Sequence, residues 1–125
     1  MFNSIYKNRK VLVTGHTGFK GSWLCRWLEM LGADVAGYSL RPSTTPNHFE
    51  LLNLTSASNI EDIRDYSKLK EVLEEFEPEI VFHLAAQPSV LVSYDDPLDT
   101  FSTNLMGTAN VLQISRQTDS VKAVV

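Results

Sequence analysis

This 125-residue sequence has one cysteine, no excess of basic charge and no long apolar run. A lone Cys25 cannot close an internal disulfide, and its setting in a Trp- and Leu-rich stretch marks it as a packing residue. With 11 Lys and Arg against 15 Asp and Glu, the net charge of -4 leaves no basic footprint for nucleic acid. No window reaches the apolar length needed to span a membrane, so no membrane partner is expected. The opening MFNSIYKNRK lacks the apolar core of a secretory signal, which makes the cytoplasm the expected compartment. Repeats, low-complexity tracts and linkers are also missing, and no metal site is expected. One domain over residues 1–125 is the natural division for a chain of this length.

What is present is an alternation of apolar strands with helical patterns, the signature of β-α-β units and a parallel sheet. Lys10 to Val13 reads as the first strand and Gly18 to Leu31 as the first helix, with Phe19, Trp23, Trp27 and Leu31 at four-residue intervals. Asp34 to Tyr38 is the second strand, followed by the Pro-bearing loop RPSTTPNHF and a short helix around Glu50. A third strand is expected near Asn59 to Glu61. The third helix buries Leu69, Val72, Leu73 and Phe76 and is closed by Pro78. Glu71, Glu74, Glu75 and Glu77 form its solvated face. Glu79 to Leu84 is the fourth strand. Asp96 as cap, Pro97 and Asp99 then open a fourth helix running to about Gln117, whose Leu98, Phe101, Leu105 and Leu112 lie in one stripe. Gly107 in its middle costs roughly 1 kcal/mol against Ala, which implies a close neighbour. A fifth strand, Val121 to Val125, ends the chain in a way that suggests truncation. The fold class is therefore α/β, a Rossmann-type doubly wound parallel sheet truncated after the fifth strand.

Residues 11–22, VLVTGHTGFKGS, carry a strand into a glycine-rich loop. A triphosphate-binding loop needs G-x-x-x-x-G-K-[ST], and from Gly15 that spacing would place Gly at position 20 and Lys at 21. Here Lys20 precedes Gly21, so that class is disfavoured. The remaining spacing, Gly15, Gly18 and Gly21 at a strand-to-helix junction, suits a dinucleotide. Gly15 makes the tight turn, Gly18 admits a pyrophosphate to the backbone, and Gly21 lets the helix pack on the sheet. Thr17 and Phe19 belong to the same mouth. The alternative is a turn whose glycines serve packing alone. His16 either hydrogen-bonds phosphate or ribose, or faces solvent.

The loop TGHTGFKGSWL, the acidic pair in EDIRD, the strand end VFHLAAQP and the segment TNLMGTANVL together resemble the extended short-chain dehydrogenase/reductase family. The likeness covers nearly all 125 residues and leans toward the nucleotide-sugar 4,6-dehydratases. It implies a Rossmann domain holding NAD, or NADP, and a smaller substrate domain that is not in this chain. Asp62 and Ile63 match the pair that meets the adenine. Ala85, Ala86 and Gln87 match the stretch beside the cofactor ribose, with Gln87 and Ser93 near the sugar nucleotide. Asn104 matches the helix asparagine that supports the catalytic centre, and Gly107 and Thr108 complete its N-x-x-G-T pattern. The implied reaction is a lyase cycle on a nucleotide hexose, CDP-glucose being the nearest likeness. Carbon 4 is oxidised by hydride transfer to NAD, water leaves across C5 and C6, and the hydride returns to C6. The whole protein is expected to be a homodimer.

Taken without the resemblance, Asp62 and Asp65 also read as surface carboxylates, Asn104 as a local cap, and His83 as a satisfied core histidine. The sequence departs from the family pattern in three places. The end of the second strand reads GYSLR, with Ser39 and Arg41 where NAD sites usually carry a carboxylate, so NAD and NADP both stay open. Leu91 stands where a basic residue is expected. The catalytic Ser or Thr and the Tyr-x-x-x-Lys pair should follow the fifth strand, and the two literal matches, Tyr6 to Lys10 and Tyr66 to Lys70, are misplaced for catalysis. An epimerase or reductase of the same family, or a non-catalytic dinucleotide-binding module, remains the alternative.

Overall fold

Alternation along the first strand sets the layering. In β1 (Lys10–Thr14), Val11 and Val13 join the core on one face of the sheet and Leu12 that on the other, all three with no exposure, as the two-residue period demands when both faces are covered. The computed structural model describes residues 1–125. After β1 come α1 (Phe19–Met30), β2 (Asp34–Ser39), α2 (His48–Leu52), β3 (Ala57–Ile60), α3 (Tyr66–Phe76) and β4 (Ile80–His83). The chain continues through α4 (Val90–Asp95), α5 (Pro97–Phe101), a π-helical turn at Ser102–Met106, α6 (Gly107–Gln117) and β5 (Ala123–Val124). Every strand pair is parallel, in the order β3-β2-β1-β4-β5. This is the Rossmann-type doubly wound sheet that the alternation implied.

Two cores result. On one face Cys25 and Leu28 of α1 pack on Val11, Val13 and Val35. Burial, reinforced by the charge of Glu29, pushes the Cys25 thiol up to about 12, in keeping with a packing role. On the other face Leu69 and Leu73 of α3, with Val111 and Ile114 of α6, cover Leu12, Ala36 and Val81. Each fully buried aliphatic side chain stabilises the fold by about 1.5–3 kcal/mol. Asp65 caps α3 by accepting from Lys68 N at 3.0 Å, and Glu77 ends it at φ 52°.

Helix details depart from the sequence reading. The residues at four-residue intervals in α1 lie outward, Phe19, Trp23 and Trp27 being 69%, 51% and 46% exposed, whereas Gly21, Ser22, Cys25 and Leu28 turn inward. The fourth helix is not regular, because α5 and α6 are joined by a π turn in which Gly107 N donates to both Ser102 O and Thr103 O. A separate helix, α4, capped by Ser89 through Val92 N, precedes it where none was expected. The strands shift by a residue or two at their ends, and β5 is shorter, at Ala123–Val124.

Gly107 has the close neighbour that its cost implied. A Cβ there would lie 2.7 Å from Ile63 Cγ2. Gly107→Ala should gain about 1 kcal/mol of helix propensity and lose more than that to overpacking, for a net loss of roughly 1–2 kcal/mol. Urea unfolding checks this, and a more stable variant would contradict it.

Candidate functional site

Parallel strands place their carboxyl ends on one edge of the sheet. That edge gathers Thr14, Ser39, Ile60 and His83, the last residues of β1 to β4. Strand order reverses between β1 and β4, the point at which sheets of this kind part their loops into a ligand crevice.

The glycine loop fills one side of the crevice. Gly15, at φ +75°, turns the chain out of β1, and a Cβ there would lie 2.8 Å from both Ala85 N and Leu84 C. A Cβ on Gly21 would lie 2.1 Å from Gly15 O. Turn, helix and β4 exit thus interlock through bare backbone. Packing accounts for Gly15 and Gly21 but not for Gly18, whose added Cβ would meet only Gly15 O, at 3.3 Å. Gly18 is exposed, caps α1 and brings no side chain to its first turn. The amide hydrogens and positive dipole end of α1 therefore face outward beside a residue without bulk, which is the arrangement that accepts a phosphate.

Both expectations for His16 fail. Its ring has no exposure and occupies the space that a side chain at residue 37 would need, since a Cβ on Gly37 would lie 2.1 Å from His16 Cγ. Nε2 meets Ser58 Oγ at 2.6 Å, while Nδ1 is buried without a well-formed partner. Burial lowers its pKa to about 4, the Tyr38 main chain opposing by less. Thr17 is buried beside it. Its hydroxyl donates to Leu40 O at 2.8 Å and so accepts from Ser39 Oγ at 2.9 Å. Ser39 is thereby tied to the loop, Arg41 is exposed just beyond, and no carboxylate ends β2.

The opposite side of the crevice is built by the β4 exit and the π turn. Asn104 clamps the main chain of Gln87, accepting from its N–H at 2.8 Å and donating to its carbonyl at 3.1 Å. The Gln87 side chain is turned to local work, donating to Thr100 Oγ1 at 2.9 Å and to Ser89 O at 3.1 Å and accepting from Ser89 N at 2.6 Å. Ala85 is half-buried and Ala86 exposed. Ser93 donates to Val90 O of its own helix and joins none of the bonds around Gln87. At the β3 end, Arg64 grips both oxygens of Asp62, holding its carboxyl below the usual carboxylate value, and reaches Asp99 at 2.7 Å. Ile63 turns its side chain into the core, 5% exposed, so only its main chain is left to meet a ligand.

Sequence reasoning left His83 as a core residue and missed its partners. The half-buried ring bridges Thr14 Oγ1 at 2.7 Å and Thr108 Oγ1 at 2.9 Å. The only trace in the sequence is one ring nitrogen pair in an apolar run, four residues before the Gln87 that Asn104 holds.

The model of the family described as GDP-mannose 4,6 dehydratase matches residues 12–125. A CDP-glucose 4,6-dehydratase of Salmonella typhimurium is 51% identical over 124 residues, which cover 98% of this chain and 34% of that protein. A GDP-mannose 4,6-dehydratase of Vibrio cholerae is 34% identical over 116 residues, covering 86% and 31%. Among solved structures, a UDP-glucose 4-epimerase of Thermus thermophilus in complex with NAD has a TM-score of 0.79 at 35% identity, covering 91% of this chain and 36% of that one. The Thermotoga maritima UDP-glucose 4-epimerase with UDP-glucose gives 0.81 at 31%, covering 92% and 36%. The chain spans about a third of the length of the relatives it matches.

Proposed function

Since the chain belongs to the GDP-mannose 4,6-dehydratase family, we propose that residues 1–125 form the NAD-binding part of a nucleotide-sugar 4,6-dehydratase acting on CDP-glucose. The observation that carries the cofactor half is the bare mouth of α1 at the strand-order reversal, where Gly18 leaves room and no side chain caps the first turn. In this reading the N–H groups after Gly18 hold the diphosphate, with Thr17 and Phe19 bordering it. Ser39 and Arg41 line the ribose of the adenosine half, and the main chain at Asp62 and Ile63 borders the adenine. Ala85, Ala86 and Gln87 border the other ribose, with Asn104 fixing their main chain. Gln87 and Ser93 are proposed to lie toward the sugar nucleotide. The bound nicotinamide would supply a hydride acceptor that later returns the hydride. The residues of this chain position, and the general acid–base groups are proposed to lie in the part of the relatives that this chain does not cover.

Identity favours the CDP-glucose reading, at 51% to the Salmonella dehydratase against 34% to the Vibrio GDP-mannose enzyme. The epimerase neighbours favour a second reading in which the same cofactor half serves epimerisation. The two differ in mass. A dehydratase makes a product one water lighter than its substrate and an epimerase makes one of equal mass, so mass spectrometry of the whole protein incubated with CDP-glucose separates them. Calorimetry of this chain with NAD and NADP tests the cofactor half. Heat with NAD is expected, and no heat with either on folded protein would overturn it. A preference for NADP would reassign the role of Arg41, since no carboxylate ends β2 to repel a 2′-phosphate. Leu98, Phe101, Leu105 and Leu112 stay 81%, 65%, 62% and 53% exposed, and we propose this stripe as the dimer surface of the whole protein. Concentration-dependent sedimentation is expected, and a strict monomer would count against it.

A further inference from the structure

The hydrogen bonds around His83 have only one consistent direction. Thr14 Oγ1 already accepts from the main-chain N–H of Ala85 at 3.1 Å and shares that of Leu84, at 3.1 Å, with its own carbonyl at 3.2 Å. A hydroxyl has two lone pairs, so its proton is what it can offer His83, and Nδ1 must be the bare acceptor, 2.7 Å away. Nε2 then carries the hydrogen and donates to Thr108 Oγ1 at 2.9 Å. Thr108 in turn donates its own proton to Asn104 O at 2.7 Å. The side chain of Asn104 closes the circuit on Gln87. An Nδ1–H tautomer would leave Nε2 bare against Thr108 Oγ1, whose proton already goes to Asn104 O, and a charged ring would bring a third donor to Thr14 Oγ1.

The circuit begins at the residue before Gly15, crosses the β4 exit and ends in the π turn. It therefore links the glycine-loop side to the π turn through side chains, beside the main-chain bond from Leu84 N to Thr14 O and the close approach of Gly15 to Leu84 and Ala85. The π turn matters because Thr108 and Asn104 stand on either side of Gly107, whose N–H is shared between Ser102 O and Thr103 O. There the Thr108 hydroxyl bonds back to the carbonyl four residues earlier.

We propose that His83, as the neutral Nε2–H tautomer, is a positioning residue that sets the Asn104–Gln87 clamp against the glycine loop, so that cofactor affinity depends on its two threonine contacts. This rests on the dinucleotide reading above. Burial lowers the His83 pKa and keeps the ring in the neutral form the circuit requires.

Two measurements test it on the chain as it exists. Nitrogen-15 spectra of labelled histidines, with His83 assigned through His83→Gln, should show a protonated Nε2 and a bare Nδ1 at neutral pH. An Nδ1–H or charged ring would overturn the circuit without any binding experiment. Calorimetry with NAD should then give roughly ten-fold weaker binding for Thr108→Val, the scale of one or two hydrogen bonds, and near-normal binding for Thr108→Ser. His83→Gln, able to keep one of the two bonds, should weaken binding by about three- to ten-fold and stands in if Thr108→Val does not fold. Equal NAD affinity in wild type and folded Thr108→Val would overturn the positioning role alone. No NAD binding by the wild type would overturn the cofactor reading and the positioning role with it, while the ring spectrum still decides the circuit.

Discussion

Gly21→Ala should destabilise the protein by about 3 kcal/mol, lower its melting temperature by roughly 10 °C and weaken NAD binding at least about 100-fold. The reason is geometric. The added methyl would stand 2.1 Å from Gly15 O, 2.7 Å from Gly15 C and 2.8 Å from His16 Cα, all of them backbone atoms that no rotamer change can move. Relief requires α1 to slide away from the turn, or the turn away from Ala85, and either motion opens the mouth of the helix. Gly18→Ala is the control. Its methyl meets one atom at 3.3 Å and its φ of -75° suits any residue, so stability should change by less than about 1 kcal/mol. Binding should still fall, because the methyl takes the space proposed for the diphosphate. Thermal melts and calorimetry read both. A Gly21→Ala protein with unaltered melting and affinity would remove the interlock as an explanation. A Gly18→Ala protein that binds NAD normally would remove the phosphate from the mouth of α1.

The elements that were legible in the sequence are those whose reasons are local. Strands buried on both faces read as apolar runs, α3 shows its i, i+3, i+4 face with an Asp cap, and the junction at Gly15 to Gly21 is marked by spacing. The sheet followed from strands alternating with helices. What stayed hidden depends on distant partners. Phe19, Trp23 and Trp27 recur at helical spacing, yet the face of α1 that turns inward is the one with Gly21 and Ser22, where the turn at Gly15 comes too close to residue 21 for any side chain. The segment Val90–Asp95 carries strand-like valines and becomes helical from the Ser89 cap. The π turn at Ser102–Met106 inserts one residue into a regular period, which the spacing of Leu98, Phe101, Leu105 and Leu112 does not register. The candidate site shows the same split: Gly15, Gly18 and Gly21 were legible as a spacing, and Asn104 was a candidate through the family resemblance alone. The bonds from His83 to Thr14 and Thr108 join residues 69 and 25 apart, which no spacing rule connects.

His16 gives the second large effect, in acid. Its ring is neutral in the fold with a pKa of about 4, against 6.5 for an exposed imidazole. Between those values the unfolded chain binds a proton that the folded chain refuses, so stability falls as pH falls. The contribution is intact above about pH 6.5, declines through the window and levels off below about 4, for a total near 3 kcal/mol at 1.36 kcal/mol per unit. At pH 5 about 2 kcal/mol should be gone. His83, also lowered by burial, acts in the same sense, and Asp62, lowered from 3.8, adds its loss only under more acid conditions. His16→Asn isolates the first of these. It should cost about 2 kcal/mol at pH 7.5, where the well-packed ring is lost, and should make the decline from pH 7.5 to 5 shallower by about 2 kcal/mol. Taking the difference between the two proteins cancels the part due to His83. The physical source is the slot against Gly37, where the imidazole lies with no exposure to solvent. Guanidinium unfolding of both proteins at the two pH values would decide the matter, and parallel declines would place the acid sensitivity elsewhere in the fold.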